Sequence, residues 1–352
     1  MGKSVANLVF SLAIILPTAG RGQQRPDTSY HPPVGSPAYA RGQGPRLLFD
    51  QAHHNLHRLD GGYRAFAELA EQDGYRVLAN TRHLGPETLA ETDVLVIVNA
   101  RGGEGIAAAG MPALNAAEIA SVRSWVSAGG ALLLVADHAP FGAAAESLAA
   151  AFGVGMSKGF TLDTAVANRD GPNASMLRFS RANNLLGDHP VLRGRDADEM
   201  IDVVVTFTGQ SLTLPRGAAA LLRLSPTALD RPPPSAAETA ALAARIDALR
   251  DSIRRARALP GGRVDSVVVR TPARLSDSTT TSAAGRAQGL ALTFGRGRVV
   301  VLGEAACLSA QVVSLPGADP VPIGMNAPGN DNRQFALNIL HWLSGALEPD
   351  RK

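Results

Sequence analysis

Short, uninterrupted apolar runs alternate with amphipathic stretches from Pro45 onward. Residues 47–49 predict a buried strand, and residues 62–72 a helix with Tyr63, Phe66, Leu69 and Ala70 at helical spacing, stopped by Asp73-Gly74. A strand over 75–78, a short helix over 86–90 and an apolar strand over 94–98 follow, the last ending at Asn99. The next helix is the best-signed in the chain. Asn115 and Glu118 have capping-box spacing, Ile119, Val122, Trp125 and Val126 form its apolar face, and Gly129-Gly130 ends it. A strand over 131–136 comes next. Continuous Val/Leu/Ile runs separated by amphipathic helices predict an α/β fold whose mostly parallel sheet is covered by helices on both faces.

Beyond Gly159 the pattern weakens. Asp188-His189-Pro190-Val191 reads as a turn and 202–207 as a strand. Residues 226–286 read as an insertion: Arg231-Pro232-Pro233-Pro234, a long Ala/Arg helix, then a Ser/Thr-rich tract. Leu242, Ile246, Leu249 and Ile253 form a narrow apolar seam on that helix, suited to packing on the main domain or to self-association. A C-terminal hairpin (290–294 and 298–302) turns at Gly295-Arg296-Gly297. Asn330 or Asp331 then caps a final helix with Phe335, Ile339 and Trp342 inward, ending at Gly345.

The N-terminus has a different character. Lys3, the apolar run from Val5 to Leu16, and Thr18-Ala19-Gly20 have the layout of a secretory signal over residues 1–20. The run is shorter than the ~20 residues a membrane-spanning helix needs. The expectation is therefore an exported protein, periplasmic or extracellular, with no stable membrane span in its mature form. Residues 21–44, rich in Gly, Pro, Arg and Gln, read as a flexible spacer before a domain over 45–347. His31 reads as a solvated residue within it.

Charge changes this picture little. Lys and Arg number 34 against 31 Asp and Glu, and the arginines are dispersed, so nucleic-acid binding is excluded as an expectation. Cys307 is the only cysteine, so no internal disulfide framework exists.

Chemistry gathers at the ends of the apolar runs. The first leads into Asp50, His53, His54 and Asn55, the fourth into Asp137-His138, and the last into Glu304. In an open parallel sheet, loops converge outside the carboxyl ends of the strands, where ligands bind. Carboxylates and imidazoles so placed can hold a divalent ion, Zn or Mn, through Asp50, His53, His54 and Glu304. Asp50 could equally cap its loop, and Glu304 could pair with Arg333. His138 is the candidate base, with Asp137 to orient it or to hold loop amides, and Glu304 completes the catalytic set. Asn55, Asn99, Asn330 and Asp331 are candidate ligand-binding residues. His57 and His83 read as surface residues, and His341 as structural.

The blocks Phe49-Asp50-Gln51-Ala52-His53-His54-Asn55, Ala136-Asp137-His138-Ala139-Pro140-Phe141, Gly303-Glu304-Ala305-Ala306 and Gly329-Asn330-Asp331-Asn332-Arg333 resemble the class I glutamine amidotransferase-like superfamily, in a secreted bacterial branch of unknown function. The Asp188-His189-Pro190-Val191 turn resembles one in trehalose-utilisation-type relatives. The resemblance implies a flavodoxin-like sheet. It also marks a departure: where amidotransferases carry a nucleophilic Cys on a Gly-x-Cys-x-Gly elbow, this chain has Val135-Ala136-Asp137-His138-Ala139. Cys307 lacks the flanking glycines. The expectation is a hydrolase acting on a small polar or carbohydrate-derived substrate, without glutamine amidotransferase activity. The alternative is a non-catalytic ligand- or partner-binding domain of the same fold, as in the degenerate domains of gliding-associated transport machinery. The oligomeric state is left open.

Overall fold

The computed structural model describes residues 23–233, 235–258, 280–314 and 319–347. The leader expected over residues 1–20 lies outside them. Seven strands form the central sheet: β1 (Arg46–Asp50), β2 (Arg76–Asn80), β3 (Val94–Val98), β4 (Ala131–Val135), β5 (Ala219–Arg223), β6 (Ala287–Phe294) and β7 (Gly297–Leu302). Their spatial order is β2-β1-β3-β4-β7-β6-β5. The contacts from β2 to β7 are parallel, and β6 and β5 are added antiparallel at one side. The expected hairpin is β6–β7.

Strands β3 and β4 are buried at every position, which is why their sequences are apolar throughout rather than alternating. Successive side chains still point to opposite faces. Val94, Val96, Leu133 and Val135 join a core with helix α1 (Arg64–Gln72) and the C-terminal helix, here α5 (Asn332–Ser344). Leu95, Ile97, Leu132 and Leu134 join a second core with α2 (Ala116–Ser127) and α3 (Phe141–Ala150). Helices therefore cover both faces.

The helix ends follow local chemistry. Asn115 Oδ1 accepts from the Ala117 and Glu118 amides, while Glu118 Oε2 accepts from the Asn115 amide at 3.0 Å, a complete capping box. Gly345 adopts φ 85° to end α5, a left-handed conformation suited to glycine. The Asp188–Val191 turn starts a short helix, Pro190–Arg193, whose first turn is capped by His189 Nδ1. His341 is buried in α5, its Nε2 2.7 Å from Asp73 Oδ2.

Part of the N-terminal segment read as a flexible spacer is built into the fold. Gln23–Pro26 is a strand paired antiparallel with Ala310–Ser314. Arg64 Nη2 donates to the Asp27 and Tyr30 carbonyls, and Asp73 Oδ1 accepts from the Ala38 amide. Low periodicity conceals order of this kind, because it comes from an edge strand and side-chain-to-backbone bonds instead of an apolar stripe. His31 is exposed, as expected, though its Nδ1 lies 3.0 Å from Glu68.

Within 226–286, Ala228–Arg231 pairs antiparallel with both Phe160–Asp163 and Thr281–Ser282, and α4 (Ala236–Ala258) lies between the two paired segments in sequence. Leu242 is partly buried, and the side chains of Ile246, Leu249 and Ile253 are outside the described set. No helix among the described residues is long and apolar enough to cross a membrane.

Asn330 and Asp331, the candidate ligand-binding residues at the start of α5, both make structural hydrogen bonds. Asp331 Oδ2 accepts from the Asp202 and Val203 amides at 2.8 and 2.9 Å, tying the start of α5 to strand Val203–Thr206. Asn330 donates to the Ala327 carbonyl and accepts from the Asn332 amide. Asp331→Ala leaves two amides without acceptors and is expected to cost about 1–2 kcal/mol of stability, measurable by urea denaturation.

Candidate functional site

Strand β1 has β2 on one side and β3 on the other, so the chain reverses its direction of winding at β1. Such a switch point opens a crevice outside the carboxyl ends of the strands. Asp50 ends β1 there, fully buried, and a buried carboxylate requires donors. It has them: Asn80 Nδ2 at 3.1 Å on Oδ1, and Asn55 Nδ2 at 3.0 Å and His53 Nδ1 at 2.8 Å on Oδ2. The His53 ring is thereby fixed with Nε2 directed away from Asp50, 2.9 Å from Glu118 Oε1. The same oxygen lies 2.9 Å from His83 Nδ1 and accepts from the Leu84 amide.

His53, His83 and Glu118 thus converge, each offering one ligand atom, with all three atoms within 4.8 Å of one another. The His83 side chain is 85% exposed, so the cluster is open to solvent on one side. Burial opposes charge on Glu118 and His53, but their mutual bonds prevail. Glu118, with donors from Asn115, His53, His83 and Leu84, is lowered to about 2. His53, between Asp50 and Glu118, is raised to about 9. Without a metal ion, His53 is therefore an imidazolium held between two carboxylates. A divalent cation can replace its Nε2 proton and leave Asp50 bonded to the far nitrogen, an arrangement that fixes ring orientation in metal sites.

The residues that converge are not the four expected to hold a metal ion. Asp50 holds the back of the His53 ring and does not face the cluster. His54 is exposed in a left-handed conformation (φ 47°), and its carbonyl accepts from Arg101 Nε. Glu304 is buried, and its two oxygens accept the Ala306 and Cys307 amides at 2.7 and 2.8 Å. It pairs with neither the histidines nor Arg333, which bonds the Pro33 carbonyl. Asn55 also serves the loop, since Oδ1 accepts the His53 amide and Nδ2 donates to Asp50 and the Val98 carbonyl.

A second group lies along the same edge. Leu302 pairs with Val135 in the parallel register, so Asp137 and Glu304 stand at equivalent places just past adjacent strands. Burial raises Asp137 to about 7. Burial and the Asp137 carboxyl raise Glu304 to about 7. Asp137 Oδ1 accepts the His138 amide, so it caps the turn and does not orient the His138 ring. That ring bonds its neighbour's Ala139 carbonyl and stacks on Phe160 at 4.7 Å. Burial lowers the His138 pKa, which keeps the imidazole neutral. Asn99, at φ 45°, reaches this group by accepting the Asp137 amide; its buried Nδ2 has no hydrogen-bond partner among the described residues.

Cys307 is buried, and burial together with Glu304 pushes its thiol well up, so it remains protonated at neutral pH. His57, expected at the surface, is half-buried against Tyr63 at 4.9 Å, and burial lowers it to about 4.

Sequence reasoning missed His83 and Glu118 as site residues. Glu118 already had a local explanation in its capping box, and His83 lies after β2, whose end is not part of an apolar run. The usable signal was a second demand on Glu118, since one of its oxygens satisfies the cap and the other is left over.

No family description matches the sequence, and no curated protein does either. Solved structures do. The N-terminal domain of mmIFT52 superposes with a TM-score of 0.52 at 12% identity, over 85% of this chain and 97% of that one. A putative ThuA-like protein from Bacteroides uniformis is also found, at a TM-score of 0.38 and 15% identity over 88% of this chain and 95% of that one. The first likeness establishes a shared fold.

Asp137 and Glu304 generate a pH prediction. Both are raised in the folded state, so their contribution to stability is present below the ordinary carboxylate range and is lost as pH rises through about 7. Asp137→Asn keeps an acceptor for the His138 amide and removes one charge. Urea denaturation between pH ~4 and ~7 is expected to show a shallower decline in the variant than in the parent protein. Equal slopes would refute the raised Asp137 pKa.

Proposed function

We propose that the chain is an exported relative of the class I glutamine amidotransferase-like proteins that lacks their nucleophilic Cys, binds a divalent metal and hydrolyses a small polar or carbohydrate-derived substrate. The observation that carries this is the convergence of His53, His83 and Glu118 with Asp50 behind the His53 ring. The strand order β2-β1-β3-β4 supports the flavodoxin-like part of the reading. Two imidazoles and one carboxylate suit Zn, with Mn the next fit, and leave a coordination position for water or substrate.

A metal ion so held supplies Lewis acidity and an acidified water. The chain's own residues do the rest. Asp50 keeps His53 Nδ1 protonated, so that Nε2 would be the nitrogen to ligate once a metal ion displaced its proton. Glu118 contributes one oxygen and keeps the other on its cap. Asp137 and Glu304 retain a proton near neutral pH at the same sheet edge, which fits them to protonate a leaving group. His138, neutral and stacked on Phe160, can accept a proton.

Metal analysis of the purified full chain tests the reading. Near-stoichiometric metal is expected, lost in His53→Ala and His83→Ala. Asp50→Asn is expected to weaken affinity by about 10–100-fold. Substoichiometric metal that is unchanged in all three variants would sink the proposal. Stoichiometric metal without hydrolysis across a panel of sugar and phosphate esters would leave a binding protein instead.

A further inference from the structure

We propose that Arg101 binds an anionic group of the substrate, a carboxylate or a phosphate, beside the His53–His83–Glu118 cluster; this rests on reading that cluster as the reaction centre. Arg101 follows β3, and the loop carrying His53 fixes it at two points. Its amide donates to the His53 carbonyl at 2.9 Å, and its Nε donates to the His54 carbonyl at 2.6 Å. With Nε committed, the two Nη groups form the free end of the guanidinium. Among the described residues no ion pair involves Arg101.

Arg101 is partly exposed, so the guanidinium can be reached from solvent. Asp50 and Glu118 together neutralise a divalent ion, and the Arg101 cation beside them then lacks a counter-charge. An oxyanion on the substrate supplies it, and the planar guanidinium fork suits two-point contact with carboxylate or phosphate.

Isothermal titration of inorganic phosphate and of acetate into the full chain tests this, with the protein both zinc-loaded and EDTA-stripped. Arg101→Ala is expected to weaken binding of the preferred anion by about tenfold or more, with zinc affinity unchanged. Arg101→Lys, which keeps the charge without the fork, should fall between. Preference for phosphate or for acetate identifies which oxyanion the site takes. If neither anion binds the parent protein, or if Arg101→Ala binds within about twofold of it in both metal states, the proposal is overturned. If zinc fails to bind, the cluster reading falls alone, and the stripped protein still reports on Arg101.

Discussion

The Glu118 carboxylate joins the pieces of this sheet edge. One oxygen closes the capping box that starts α2, and the other receives His53, His83 and the Leu84 amide. Helix start, β1 loop and β2 loop are therefore set by one group. Removing that carboxylate would unpair a helix terminus and leave the His53 ring with a single acceptor, so secondary structure and site geometry are not separable here. A carboxylate withdrawn from water must collect donors, and in collecting them it brings together residues far apart in sequence.

The same requirement runs across the sheet. Apolar strands that pack on both faces end in polar residues, and each end resolves its burial differently. Asp50 gathers amides and an imidazole, Glu304 takes two backbone amides, and Asp137 caps a turn. The outcome is a division of charge along one edge: ionised groups around His53, and acids held near neutrality beyond β4 and β7. That separation suits a site needing both a cation-binding end and a proton-holding end.

The sheet was legible in the sequence because β3 and β4 are apolar at every position and glycines or caps punctuate the helices. The edge strand Gln23–Pro26 was not, since four largely polar residues held by pairing leave no periodic trace. Asp50, His53 and Asp137 could be placed because they directly follow apolar runs. Which of them meet could not. His54 and His53 are neighbours in sequence, yet a left-handed backbone separates their roles. Asp331 resembles a site residue in type and position but gives its oxygen to two amides. Convergence depends on loop paths and on through-space partners such as His83, and local patterns carry neither.

The segment between Arg231 and Thr281 leaves and re-enters the fold through strands that pair with each other, Leu229 opposite Ser282 and Asp230 opposite Thr281. The two ends are thus already joined before anything between them is considered. Changing the length of a stretch closed in this way costs little, on the order of 0.6 kcal/mol per doubling. Helix α4, within that stretch, also packs on residues 105–109, which follow β3, so the module is held to the sheet edge as well as closed at its base.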